Sequence, residues 1–266
     1  MKRKLGRLET QLFAYVQLRR LRTLRGGELV GPLRITAKQE RELLSRLGRG
    51  GLIAQVRPGL YLVPQRLPLG GSWTPDELLA LQTLMADRGA RYQVCGPNAF
   101  NRYGFDEQVP ARLTVYNNRI SGQRRIGAVR LTLIKVAAAR LGDVELVRGA
   151  GGVRVPFASR ARTLVDGVYD WARFNSLPRA YAWIRADLAA RRVDAAELVR
   201  VTLRYGDVGT IRRVGALLER EAVQARLLGR LERALRPSTG LIAWSPTQPR
   251  RGTLDRRWGV VWNEPD

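Results

Sequence analysis

The chain has 266 residues, 45% of them hydrophobic, and its 47 Lys+Arg against 23 Asp+Glu give a formal net charge of +24. Such an excess predicts attraction to a polyanion. With no histidine and a single cysteine, Cys95, the sequence excludes Ser-His and Cys-His catalytic pairs, most zinc sites and any intramolecular disulfide.

Met1-Lys2-Arg3-Lys4 begins like the charged end of a signal peptide, but no apolar run follows it, and a cytoplasmic location is expected. Lys2, Arg3 and Lys4 then read as a basic arm, either disordered or lying along phosphates. Leu5 to Leu18 places Leu8, Leu12, Tyr15 and Val16 or Leu18 at helical spacing, which predicts a first helix. Gly26 to Leu33 is expected to hold a short second helix, although Gly26-Gly27 and Pro32 make it poor by propensity.

Thr36 with Gln39 forms a capping box, and the helix it opens, Ala37 to Leu47, carries Leu43, Leu44 and Leu47 on one face. The other face carries Lys38, Gln39, Arg41, Glu42, Ser45 and Arg46, side chains that donate to phosphates or reach base edges in a major groove. Gly48, Gly50 and Gly51 end the helix. Leu52 to Val56 and Leu60 to Val63 are short branched runs joined by Arg57-Pro58-Gly59, a turn with Arg57 at its tip. A basic helix running into a basic-tipped hairpin is the layout of a winged helix-turn-helix, with the helix in the major groove and the wing on the backbone. The same pattern also suits an ordinary α+β domain with a solvated helix face. Charge favours the DNA reading: residues 1 to 66 hold 15 Lys+Arg and 4 Asp+Glu, so +11 of the +24 falls there.

Leu67-Pro68-Leu69-Gly70-Gly71-Ser72 has the composition of a linker, and Thr74-Pro75-Asp76-Glu77 predicts a capping box opening a new helix to about Asp87. The expected division is a DNA-binding domain over 1–66 and a larger domain over 73–266. In the latter, Tyr92 to Cys95, Leu113 to Tyr116, Ile126 to Val136, Val144 to Val147 and Val153 to Val155 read as strands, Ile126 to Val136 being the longest and a candidate to hairpin with what precedes it, and Asn98 to Tyr103 as a short helix. From Pro156 the pattern turns helical: Ala158 to Trp171, Leu177 to Ala190, Ala195 to Tyr205, Val208 to Glu219 and Ala222 to Leu235. Trp171, Tyr181 and Trp183 read as packing residues. Leu241 to Trp244 and Trp258 to Trp262 read as closing strands that complete the second domain and return to its sheet. The fold class is α+β, a winged helix-turn-helix followed by a mixed domain with a helical C-terminal half.

Catalysis has only carboxylates to work with. Asp143 with Glu145, and Asp166 with Asp170, are the close pairs in suitable places, but no lysine accompanies the first, and capping or surface roles explain the second. Neither a catalytic site nor a metal or cofactor is expected.

The segment Gly51-Leu52-Ile53-Ala54-Gln55-Val56-Arg57-Pro58-Gly59-Leu60-Tyr61-Leu62-Val63-Pro64 resembles the wing signature of AbiEi-type antitoxins. Tyr92 to Gly96 followed by Asn98, Ala99 and Gly104 looks like that family's strand-then-helix segment, and Pro156 to Asp166 is similar to its segment ending in Thr-Leu-x-Asp, here Thr163-Leu164-Val165-Asp166. Arg212-Arg213-Val214-Gly215-Ala216-Leu217-Leu218-Glu219 resembles its Arg-rich helix, and Trp258 to Asn263 its closing strand. The matches span nearly the whole chain but are short, the wing being the most specific; the second helix departs from the pattern. The resemblance implies an antitoxin of an AbiE-like system, whose N-terminal domain binds inverted repeats in its own promoter and represses it, and whose C-terminal domain counters a nucleotidyltransferase toxin. The functional expectation is therefore sequence-specific double-stranded DNA binding without catalysis. Lys38, Gln39, Arg41, Glu42, Ser45 and Arg46 would lie at the major groove behind the Thr36 cap, Arg57 on the wing side, and Lys2, Arg3 and Lys4 on the backbone. The rival readings are a stand-alone winged-helix regulator with a ligand-sensing or dimerisation domain, and an RNA-binding protein or nuclease using Arg212 and Arg213.

Overall fold

The computed structural model describes residues 5–67, 72–236 and 240–264. Its N-terminal unit is assembled around the helix that Thr36 opens. In chain order it runs α1 (Arg7–Leu18), β1 (Thr23–Arg25), α2 (Val30–Leu33), α3 (Ala37–Arg49), β2 (Ala54–Arg57) and β3 (Leu60–Leu62). The capping box forms as the sequence predicts: the Thr36 hydroxyl accepts from the Gln39 N–H at 3.2 Å, and Gln39 Oε1 accepts from the Thr36 N–H at 2.8 Å. Leu43, Leu44 and Leu47 pack into one cluster with Leu12, Val16, Leu24 and Leu29, each such burial contributing about 1.5–3 kcal/mol.

β1 has no counterpart among the expected elements, and the expected second helix shrinks to Val30–Leu33. Both follow from Gly26-Gly27. These residues turn the chain out of β1, Gly27 with φ +94°, and leave only one helical turn before Arg34 ends it in a left-handed conformation. What replaces the missing helix is a carboxylate. Glu40, buried on the inner face of α3, accepts from the Gly27 N–H at 2.6 Å and from the Leu29 N–H at 2.8 Å. β1 pairs antiparallel with β3, and β3 with β2, giving a three-stranded sheet with a bulge between Gln55 and Arg57.

The C-terminal unit begins with α4 (Glu77–Asp87), whose N-cap is Asp76, accepting from the Leu79 N–H at 2.9 Å. The capping box expected at Thr74 is thus replaced by a simple Asp76 cap two residues later, with Pro75 before the cap instead of in the first turn. There follow β4 (Tyr92–Val94), α5 (Pro97–Arg102), β5 (Leu113–Asn117), β6 (Gly122–Ile126), β7 (Val129–Lys135), β8 (Val144–Arg148) and β9 (Arg154–Ala158). They build a six-stranded mixed sheet in the order β6-β7-β5-β4-β9-β8. The strand expected over Ile126 to Val136 is β7, starting at Val129, and it is hairpinned with what precedes it: Ile126 ends β6, and Gly127 turns the chain at φ +59°. α4 covers one sheet face through Ala80, Leu81, Leu84 and Met85, packed with Val94, Val115, Leu131 and Val155. Ala54 and Leu62 of the N-terminal hairpin belong to this same cluster, so the two units share a core.

The helical section comprises α6 (Arg160–Tyr169), α7 (Trp171–Phe174), α8 (Arg179–Ala189), α9 (Ala195–Tyr205), α10 (Val208–Arg220) and α11 (Ala225–Arg233). Tyr181 lies in its core and Trp171 and Trp183 pack against it, as expected of large aromatics. The tail does not return to the large sheet. β10 (Ile242–Ala243), β11 (Thr253–Asp255) and β12 (Val260–Trp262) form a separate three-stranded sheet, β10 parallel and β11 antiparallel to β12. It is held by stacked Tyr181 and Trp244 and by the Trp258 ring, which lies over Gly215 of α10 where a β-carbon would collide with it. No helix among the described residues is long and apolar enough to cross a membrane.

Because the buried Glu40 serves two N–H groups at once, that of Leu29 buried and that of Gly27 partly so, Glu40→Ala is expected to destabilise the protein by about 1–3 kcal/mol. A lowered denaturant midpoint with an unchanged m-value would show it; an unchanged midpoint would mean that α2 is positioned by packing alone.

Candidate nucleic-acid interface

α3 presents its outer face to solvent, and Thr36, Lys38, Gln39, Arg41, Glu42, Ser45 and Arg46 are all exposed on it. They differ in what they have left to offer. Thr36 and Gln39 are occupied with each other in the cap, the Gln39 carbonyl also accepting from the Thr36 hydroxyl at 3.2 Å. Arg46 reaches back to α1, its Nε 3.1 Å from Glu9 Oε1, while half of its side chain stays exposed. Lys38 and Arg41 make no ion pair among the described residues, and Ser45 follows Arg41 one turn later. Arg49 continues this stripe from the last turn of α3 and is exposed. The sequence pattern carries the helix only to Leu47 and so leaves Arg49 out, although its spacing of four from Ser45 is a signal for it. Glu42 is the one carboxylate exposed on the helix, an acceptor suited to a cytosine amino group. Lys2, Arg3 and Lys4 lie outside the described residues.

Arg57 does not stand as a free cation at a hairpin tip. Its Nε and Nη2 donate to the two carboxylate oxygens of Asp87 at 2.7 and 2.6 Å, and its Nη1 donates to the Pro58 carbonyl at 2.7 Å. Asp87 is the last residue of α4, so this fork-to-carboxylate pair ties the hairpin to the C-terminal unit. The Arg57 hydrogen bond holds the Asp87 carboxyl below its ordinary range. A depressed carboxylate stays ionised at neutral pH, and the tie releases only as acid protonates Asp87. The Arg57 fork is thus engaged within the molecule by a carboxylate thirty residues later in the chain, with about a third of its side chain left exposed.

Of the four carboxylates weighed for catalysis, Asp143, Asp166 and Asp170 are engaged structurally, and Glu145 is exposed on β8. Asp143 accepts from the Ser159 hydroxyl and from Arg200, both at 2.9 Å. Asp170 accepts from the Tyr116 hydroxyl at 2.8 Å and from Arg173 Nε at 2.9 Å. Asp166, fully buried, takes Arg162 Nε at 2.9 Å and Arg140 Nη2 at 3.0 Å on one oxygen. Burial pushes its carboxyl up, and the two guanidiniums pull it back. Among the described residues no group of three or more His, Cys, Asp or Glu side chains converges as metal ligands would. Cys95 is fully buried, and desolvation raises its thiol well above the ordinary range.

Arg212 and Arg213, the cations available to an RNA-binding reading, are buried in α10. Arg212 Nη1 donates to the Gly240 carbonyl at 2.6 Å, and Arg213 donates through Nε and Nη2 to the Ala243 carbonyl at 3.2 and 3.0 Å. They hold the C-terminal sheet. At the end of the same motif, Glu219 accepts from the Trp258 indole at 2.7 Å.

No protein-family model matches this chain, and no curated protein matches it in sequence. Among solved structures, it resembles the crystal structure of the RV2827C protein from Mycobacterium tuberculosis at a TM-score of 0.62 and 16% identity, covering 98% of this chain and 92% of that one. At that identity the likeness shows a shared fold over nearly the full length of both chains.

Asp166→Ala would leave two guanidiniums buried without their counter-charge. A loss of about 3–5 kcal/mol is expected, read as a fall in thermal and denaturant midpoints. A loss under about 1 kcal/mol would mean that water or the Tyr169 ring, 3.6 Å from the Arg140 guanidinium carbon, compensates the charge.

Proposed function

We propose that this protein is a sequence-specific double-stranded DNA-binding repressor, with α3 as its reading helix, and that it serves as the antitoxin of an AbiE-like toxin-antitoxin system. The observation that carries the first part is the outer face of α3. On it Lys38 and Arg41 are exposed and without an ion pair among the described residues, beside a serine and a further arginine, on a helix fixed from behind by four buried side chains. Rigid support beneath and free donors above are what base readout requires, since a guanidinium must meet guanine O6 and N7 within hydrogen-bond geometry. The order of elements, three helices with a three-stranded sheet, supports treating the N-terminal unit as a winged helix-turn-helix. Within that reading the protein acts in the cytoplasm on inverted repeats in its own promoter, without metal or cofactor. The antitoxin role, and a nucleotidyltransferase toxin as functional partner, rest on the sequence resemblance of the wing and of the segments around Asp166 and Glu219. Burial of Arg212 and Arg213 weighs against an RNA-binding or nuclease alternative centred on them.

Arg41→Ala is expected to weaken binding to the protein's own upstream DNA by about 1–3 kcal/mol while changing affinity for scrambled duplex much less, because a base contact carries sequence information and a phosphate contact does not. An equal loss on both duplexes would remove Arg41 from base readout.

A further inference from the structure

We propose that the β6–β7 hairpin of the C-terminal unit is a second DNA-contacting element, in which Arg124, Arg125 and Arg130 grip phosphates flanking the stretch read by α3. This rests on the DNA-binding reading of α3 and adds to it a surface that the N-terminal unit does not contain.

β6 is the outermost strand of the six-stranded sheet and pairs only with β7. Its residues from Gly122 to Arg125 are exposed. An arginine on an edge strand is ordinary protection against edge-to-edge pairing. Three features of this hairpin go further. First, Arg125 stands directly opposite Arg130 in the register, so two like charges share one cross-strand position. Such a pair destabilises the free sheet and is relieved by an anion lying between the two cations. Second, the surrounding chain supplies no such anion. Residues 108 to 142 contain seven Lys+Arg and no Asp or Glu, and none of Arg124, Arg125 and Arg130 forms an ion pair among the described residues. Arg125 Nε instead donates to the carbonyl of Gly127 at 2.8 Å.

Third, the hairpin is held beside α3. A groove of about 420 Å³ is lined by Ser45 and Arg49 of α3, Gln55 of β2, Tyr61 of β3, and Arg125 with Gly127 of the hairpin. Arg125 therefore borders the C-terminal half of the stripe that begins with Lys38 and Arg41. The turn is packed closely at this place: a β-carbon on Gly127 would come within 3.2 Å of Ala54 and 3.3 Å of Pro75. The ion pair between Arg57 and Asp87 closes the same junction. Arg57 is paired there with Asp87, whereas Arg124, Arg125 and Arg130 have no ion pair among the described residues. A duplex offers one phosphate per 1.7 Å or so of axis, dense enough to meet several arginines fixed on one hairpin.

The test is salt-titrated binding of the full chain and of the triple variant R124Q/R125Q/R130Q to the protein's own upstream duplex and to a scrambled duplex of equal length. A control triple, R226Q/R230Q/R233Q on α11, removes the same net charge elsewhere. The expected result is a fall of roughly 2 to 3 in the slope of log affinity against log salt for the hairpin variant, at about 0.9 for each phosphate that is no longer neutralised. Its own-to-scrambled preference stays unchanged, and the α11 control keeps the wild-type slope. The hairpin variant should also melt no lower than wild type, since it sheds a repulsive pair. If wild type prefers its own DNA but the hairpin variant keeps the wild-type slope, or both triples reduce the slope equally, the hairpin does not touch DNA and the α3 reading stands. If wild type binds neither duplex, the α3 reading fails and this inference falls with it.

Discussion

The junction between the N-terminal hairpin and the large sheet is the constraint on which the rest depends. Ala54 and Leu62 of the hairpin are buried in the core that α4 makes with the six-stranded sheet, and Arg57 is clamped by the last residue of α4. A hairpin in a winged helix-turn-helix ordinarily extends from its helices and lies along the DNA. In this chain the N-terminal hairpin joins the two units through a shared core and an ion pair, which sets α3 beside the sheet edge. That arrangement is what places Arg125 beside Ser45 and Arg49 instead of leaving the two basic surfaces to move independently.

Behind this junction, two kinds of arginine stand at opposite extremes. One kind is buried and spent on the fold: Arg162 and Arg140 on Asp166, Arg213 on the Ala243 carbonyl, Arg212 on the Gly240 carbonyl. The guanidinium suits such positions because its fork satisfies several acceptors at once. The other kind is exposed and, among the described residues, without an ion pair, as are Arg41 and Arg49 on α3 and Arg124, Arg125 and Arg130 on the β6–β7 hairpin. Net charge alone does not distinguish the two, so a basic composition is a weaker argument for polyanion binding than the placement of its unpaired members.

Local signals were legible in the sequence where the structure is local. The Thr36 capping box, the inner leucines of α3, the turn at Pro58-Gly59, and α9, whose bounds coincide with its apolar pattern, all follow from residues within a few positions of each other. β1 and the extent of β6 were hidden for a physical reason. Thr23–Arg25 is three residues long, and Gln123-Arg124-Arg125 has no apolar alternation, because an edge strand open to solvent needs none. The outer face of α3 was legible residue by residue, as far as Leu47. The roles of Glu40 and Arg57 were not, since each is decided by a partner elsewhere: Glu40 by two N–H groups more than ten residues back, Arg57 by Asp87. The expected return of the tail to the large sheet failed likewise, because Trp244 and Trp258 find Tyr181 and Gly215 on the helices instead.

The central claim is that this chain reads duplex DNA, and the measurement that tests it most directly is equilibrium binding of the full chain to its own upstream DNA against a scrambled duplex of equal length, titrated with salt. The account predicts a preference for the native sequence on the order of a thousandfold or more, and log affinity falling linearly with log salt at a slope of several phosphates. Equal affinity for both duplexes across the salt series would contradict it, leaving attraction to a polyanion without recognition.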